Sequence, residues 1–357
     1  MTPLDIAYQR LHNQQILTAH AKTPAEVVRW LGAVQAQDYL GAKWALGMRM
    51  QKASDDTIEE AFNEGAILRT HVMRPTWHFV APEDIRWLLA LTAPRVHIAS
   101  GHGYRLLGLD DAQFRHSEEV LIKALQGGKQ LTREALIEAF QQAGIVTKDI
   151  HLVHLLMHAE LAGLICSGSR RGKQFTYMLL EERVPAVAKI ERDEALLKLT
   201  NRYFTSHGPA TMQDFAWWSG LTITDVRHGL ELAKHDLVEE VIDGQSYWLS
   251  PALPRVRADA TTVHLMSGFD EYLVSYRDRS ASLDPEHKSL WDRGNAVFSS
   301  IIVIGGKVVG IWKRTLNKKA VIMESTHFGE LTPAQEQAFK TAAQRYGRFL
   351  GLPVTFA

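Results

Sequence analysis

SEEVLIKALQ (117–126), GGKQ (127–130), LTREALIEAFQQAGI (131–145), IHLVHLLMHAELAGLI (150–165) and LICSGSRRGKQFTYMLL (164–180) run nearly end to end, and their order sets the expected fold. Ser117 and Thr132 are placed to cap the first two helices. A Ser or Thr oxygen ahead of an apolar-periodic run accepts from a first-turn N–H that has no helical partner. Gly144 and Gly163 stand where the second and third helices should stop. The last stretch reads as two short strands around a Ser/Gly/Arg tip. Helix, helix, helix, hairpin is the order of a winged helix.

Working outward, the order recurs in degenerate form. EALLKLTNRYFTSHG (194–208) is a helix, Thr211 and Asp214 cap the next, and TITDVRHGLELAKHDLV (222–238) is the third. LVEEVIDGQSYWLS (237–250) closes that module as a hairpin on an Asp243-Gly244 turn. Near the start, Thr23 and Glu26 have capping spacing with Pro24 at the first helical position, and Thr57 and Glu60 repeat it. ILRTHVMRPTWHFV (67–80) reads as a hairpin, and PEDIRWLLALTAPRV (82–96) as a bridging helix. After Pro254 the pattern changes. TTVHLM (261–266), YLVSY (272–276), SSIIVIGGKVVGIWKR (299–314) and AVIMES (320–325) are strand-like, with a Gly305-Gly306 turn. TPAQEQAFKTAAQRYGRFLG (332–351) is a helix capped by Thr332 and Gln335. The expected fold class is α+β: three tandem winged-helix domains (1–100, 101–185, 186–255) and a β-rich, barrel-like C-terminal domain with a terminal helix (256–357). An α-solenoid is the other reading of so many helices, and the closing hairpins argue against it.

The 357 residues are 46% hydrophobic and 22% charged, the profile of an ordered chain too long for one core. A single cysteine, Cys166, excludes a disulfide framework and a Cys-based zinc site. The opening MTPLDIAYQRL lacks the basic start and apolar run of a signal peptide, and no stretch reaches membrane-span length. A cytoplasmic setting is expected. Lys+Arg and Asp+Glu both number 40, which on its face argues against nucleic acid. Local basic clusters remain: Arg69, His71 and Arg74; Arg170, Arg171 and Lys173; Arg277 and Arg279; Lys313, Arg314, Lys318 and Lys319. Each alone also reads as a solvated loop.

AVQAQD (33–38) ends an apolar helix with three polar residues in four. On a continuous helix Gln35 and Gln37 point far apart. If the chain leaves the helix near Ala36, the period moves toward two and both amides can face one space. The plain alternative is a polar helix end with two solvated glutamines. Asp38 reads as an extra base or as a partner of Lys43. Alternation sets Thr76 and His78 on one strand face and Trp77 on the other; His78 is a phosphate contact, an orienting group or a half-buried strand histidine. FDEY (269–272) and YRDR (276–279) alternate in charge, which fits a salt-bridge ladder as well as a phosphate grip. His151, His154 and His158 share a helical face, but no carboxylate or Cys completes a metal site. No nucleophile elbow or phosphate-cradling glycine loop appears, so neither a metal nor a cofactor is called for.

VQAQDYLGAKWALGMR (34–49), LRTHVMRPTWHFVAPEDIRWLL (68–89), FDEYLVSYRDRS (269–280) and GNAVFSSIIVIGGKVVGIWKR (294–314) together resemble the AlkZ/YcaQ superfamily of winged-helix DNA glycosylases. Members carry a glutamine–aliphatic–glutamine or glutamine–aliphatic–aspartate motif. Gln35-Ala36-Gln37 fits the first version, the AlkZ-like branch, with alanine smaller than the usual middle residue. The resemblance implies three winged helices plus a barrel-like domain. It implies removal of N7-alkylated purines from double-stranded DNA, including bulky adducts and interstrand crosslinks, with Gln35 and Gln37 catalytic. Asp38, Thr76, His78 and Asp270 follow as accessory candidates, Asp270 near the sugar. Arg69, His71, Arg74, Arg170, Arg171, Lys173, Arg277, Arg279, Lys313 and Arg314 follow as DNA contacts. No lysine nucleophile stands out, so a monofunctional enzyme is expected. A non-catalytic winged-helix DNA binder, regulator or damage sensor, is the alternative.

Overall fold

The computed structural model describes residues 1–148, 150–256, 262–287 and 299–357. Residues 294–298 of the family-like stretch, and Thr261 of an expected strand, lie outside these. The chain runs α1 (Pro3–Asn13), α2 (Pro24–Leu31), β1 (Val34–Gln35), α3 (Tyr39–Met48), α4 (Asp55–Glu64), β2 (Leu68–Val72), β3 (Arg74–Val80) and α5 (Pro82–Leu106). It continues α6 (Asp111–Leu125), β4 (Leu131–Thr132), α7 (Arg133–Gln142), α8 (Ile150–Leu161), β5 (Ile165–Ser167), β6 (Thr176–Leu179), α9 (Leu180–Arg183) and α10 (Arg192–Ser206). Then come α11 (Met212–Ser219), α12 (Ile223–Leu232), β7 (Val238–Ile242), β8 (Gln245–Leu249), β9 (Val263–Met266), α13 (Glu271–Val274), β10 (Ile301–Ile304), β11 (Lys307–Leu316), β12 (Val321–His327), α14 (Pro333–Leu350) and β13 (Val354–Phe356). The fold is a mixed α+β one. No described helix is long and apolar enough to cross a membrane.

Two compact units emerge, neither of them contiguous. The first gathers Met1–Glu59, Leu197–Trp218 and Thr222–Ala357; the second holds Glu60–Leu196 and Ser219–Leu221. In the second, α6, α7 and α8 bury one face each: Leu121, Leu125, Leu136, Phe140, Leu152 and Leu156 close on Ile165, Tyr177 and Leu179 of the small sheet β4-β6-β5. The apolar residues recur at helical spacing, so one stripe per helix meets a common core. α6 starts earlier than the sequence suggested. Asp110, not Ser117, is its N-cap, completing a box with Gln113, and Ser117 is buried inside the helix with its hydroxyl donating to the Phe114 carbonyl. Ser54 likewise replaces Thr57 as the acceptor for the first turn of α4.

The first unit contains an open, curled five-stranded sheet in the order β13-β12-β11-β10-β9. Gly305 and Gly306, at φ 56° and 90°, turn β10 into β11, a conformation that L side chains avoid. Trp44 of α3 stacks edge-on to Tyr346 at 5.0 Å and donates from Nε1 to the Leu265 carbonyl of β9. A Cβ on Gly47 would sit 2.6 Å from the Phe349 ring, so the glycine permits the approach of α14 to α3. YLVSY, expected as a strand, is instead helical over Glu271–Val274, because the Asp270 carboxylate accepts the Tyr272 N–H at 2.9 Å and starts a turn.

Candidate active site

The chain leaves α2 at Gly32 (φ 88°), before the glutamine segment rather than within it. A Cβ there would meet Arg202 at 3.1 Å and Trp218 at 3.4 Å. Val34 and Gln35 are extended, Gln37 and Asp38 form a bend, and α3 begins at Tyr39. The two glutamines therefore differ. Gln35 is 5% exposed, whereas Gln37 lies in solvent just ahead of the α3 N-terminus. The helix end adds positive potential at that bend. Asp38 does not pair with Lys43. Its carboxylate lies 3.7 Å from Arg314, while Lys43 donates to Asp55 at 2.6 Å and to Glu59 at 2.8 Å.

Beneath Gln35 lies a buried polar network of the first unit that sequence reading did not find. The Gln35 N–H donates to Glu271 Oε1 at 2.6 Å. Glu271 Oε2 accepts from Trp218 Nε1 at 3.0 Å and from the Ser275 hydroxyl. Asp270 is not free to face a sugar: it is 3% exposed and takes two bonds from Arg49, at 2.9 and 3.0 Å. Arg49 also donates to the Gln14 carbonyl, the Gln14 side chain and Ala45. Gln14 donates to the Tyr276 hydroxyl, which donates to the His207 carbonyl. Arg10 lies 3.7 Å above the Tyr276 ring and 3.5 Å from Asp214. Asp270 and Glu271 thus form a structural scaffold behind the glutamine strand. Arg277 is exposed, with its N–H bound to Asp214; Arg279 donates from Nε to the Leu273 carbonyl and lies 5.6 Å from the Trp217 ring. Lys313 is exposed, and Arg314 is half-buried near Tyr346.

The remaining candidates belong to the second unit. Arg69 is 8% exposed and packed against Trp77 and Phe175 at 4.3 and 4.5 Å. His71 is buried, with Nδ1 against Glu160 and its ring 4.3 Å from Trp77. Both side chains are buried. His78 is fully buried; its Nδ1 pairs with the Thr76 carbonyl, and its pKa is pushed well below 6.5 by burial, with Arg74 adding repulsion. A neutral buried imidazole is no phosphate grip. Thr76 and Arg74 are half-buried. At the tip, Arg170 donates to the Lys173 carbonyl, Arg171 to the Gln130 carbonyl, and Arg171 and Lys173 are exposed.

Burial also pushes His207 down to about 3, with Arg49 and Arg10 opposing its charge, and His264 to about 4, with Arg345 and Arg49 doing so. Unfolding returns each to about 6.5, so between these values the unfolded chain binds more protons. Stability is then full above pH 6.5 and falls as pH drops toward 4, by up to about 1.4 kcal/mol per pH unit per histidine. Urea midpoints should fall between pH 7.5 and 5; a flat profile contradicts this.

Residues 28–349 match the family model for AlkZ-like DNA glycosylases. The interstrand DNA cross-link repair glycosylase of Streptomyces sahachiroi is 26% identical over 318 residues, covering 85% of both chains. The solved structure of the Streptomyces sahachiroi DNA glycosylase AlkZ covers all of both chains with a TM-score of 0.81 at 22% identity. With the family pattern spanning nearly the whole chain and the glutamine bend within it, the protein belongs to the AlkZ-like DNA glycosylases, hydrolases of N-glycosyl bonds.

Proposed function

We propose that the chain hydrolyses the N-glycosidic bond of N7-alkylated purines in double-stranded DNA, bulky adducts and interstrand crosslinks included. The observation that carries this is the asymmetric glutamine pair: Gln35 anchored through its backbone to Glu271, Gln37 exposed at the bend two residues on. An N7-alkylguanine already bears positive charge and leaves without strong protonation. The charge to be stabilised develops on the sugar. An amide oxygen can accept from the attacking water and present its dipole to that sugar, and its NH2 can hold a phosphate oxygen. Water adds at C1′, the purine leaves with the bond electrons, and the water proton passes to solvent. An amide is too weak a base to drive loss of an unmodified base.

We read the modules as three winged helices (1–100, 101–185, 186–255) before a β-rich domain (256–357), working in the cytoplasm on the nucleoid. Arg277, Lys313, Arg171 and Lys173, all exposed, serve as phosphate contacts. Lys43, near the glutamines in sequence, is buried and ion-paired with both Asp55 and Glu59, which favours a monofunctional reaction. Borohydride added during turnover should trap no protein–DNA adduct; a trapped adduct contradicts a monofunctional enzyme. The substrate class is tested by base release from duplexes carrying 7-methylguanine, a bulky N7 adduct, an N7 crosslink or no lesion. Release is expected from the N7 lesions alone, and equal release from unmodified purine would overturn the assignment.

A further inference from the structure

Glu271 is fully buried, yet each carboxylate oxygen has a donor in place. Oε1 takes the Gln35 N–H at 2.6 Å; Oε2 takes Trp218 Nε1 at 3.0 Å and the Ser275 hydroxyl. Its own carbonyl accepts from Gln14 Nε2 at 3.3 Å, and Asp270 beside it is clamped by Arg49. The acceptor is therefore fixed from several sides before it reaches the glutamine strand.

We infer that Glu271 is a positioning residue for base excision, holding the Gln35 backbone so that Gln35 and Gln37 keep their placement. The inference rests on the glycosylase reading above. β1 is two residues long and follows Gly32, which has a φ of 88°. The buried Glu271 side chain adds a hydrogen bond to the Gln35 N–H, of the charge-assisted kind when its acceptor is a carboxylate. Gln37 lies two residues on, in the bend that follows β1, so a shift of the Gln35 backbone carries to it. A displacement of about 1 Å can lower a rate on the order of 10²-fold. A neutral amide at 271 would turn its NH2 toward either the Gln35 N–H or the Trp218 N–H, and neither can accept.

The test measures single-turnover release of 7-methylguanine at saturating enzyme, affinity for a duplex carrying an uncleavable analogue, and thermal unfolding. Glu271→Gln should lose on the order of 10²-fold in rate with affinity within about two-fold of wild type. Leu121→Ala, a cavity in the core of the second unit, controls for stability: it should lower the melting temperature and leave the rate unchanged. If Glu271→Gln does not fold, Glu271→Asp decides. It keeps the charge but withdraws the oxygens by one methylene, and the expected loss is about ten-fold or more at unchanged affinity. A wild-type rate in the variant that folds, or a rate that merely follows melting temperature across the set, overturns the inference. If wild type releases no base, the glycosylase reading fails and the inference falls with it; if wild type is active and the 271 variants match it, only the inference falls.

Discussion

Replacing Asp270 with alanine is expected to destabilise the protein by about 3–5 kcal/mol, the range found when one partner of a buried ion pair is removed. Both side chains of the pair with Arg49 are 1% exposed. The truncation leaves the guanidinium buried without its carboxylate, although Gln14 and Ala45 still accept from it. It also removes the acceptor that starts α13, the turn carrying Glu271. Arg49→Met should be comparably harmful, since it strands the carboxylate instead. The double variant Arg49→Met/Asp270→Leu should recover part of the loss, because apolar pairs replace buried ion pairs at little net penalty. Urea unfolding of the four proteins checks this. A loss under about 1 kcal/mol for Asp270→Ala would mean that the pair is hydrated or loosely held.

The second large effect concerns activity. Gln37→Ala should lower single-turnover base release on the order of 10²- to 10³-fold, the range for loss of one preorganised polar group at a reacting centre. Gln37 is exposed and no described hydrogen bond of the fold depends on it, so its melting temperature should stay close to wild type. Gln35→Ala should reduce the rate similarly but behave differently in stability. Its backbone bond to Glu271 survives the truncation, while a side chain that is 5% exposed is lost from a packed site. A modest fall in stability is expected there and not at Gln37. The two are separated by measuring rate and unfolding on the same preparations. Equal rates for wild type and Gln37→Ala would remove the exposed amide from the chemistry.

What the sequence made legible is mainly what is local. Thr23, Thr132 and Thr332 cap helices as their spacing indicated, since a cap joins residues three apart. Thr211 and Asp214 bond each other's backbone N–H in the same way. The Asp243-Gly244 and Gly305-Gly306 turns stand where two positive φ values are needed, and the hairpins β2–β3 and β7–β8 formed around their expected ends. The glutamine segment was found, but its conformation was displaced: Gly32 ends the helix before it. The support of the site was invisible because its partners are distant in sequence. Gln35 and Glu271 lie 236 residues apart, and Arg49 and Asp270 lie 221 apart. Charge alternation over 270–279 fitted a salt-bridge ladder as well as a phosphate grip; the fold buries Asp270 and Glu271 and leaves Arg277 and Asp278 exposed. His71, read as a DNA contact, meets Glu160 across 89 residues for the same reason.

The most direct measurement is release of 7-methylguanine from duplex DNA by wild type and by Gln35→Ala/Gln37→Ala, at enzyme concentrations giving equal DNA occupancy. The amide pair predicts that wild type frees the base, leaving an abasic site, and that the double variant binds the duplex yet frees almost none. Matching rates for the two proteins, or a wild type that binds without releasing base, would contradict it.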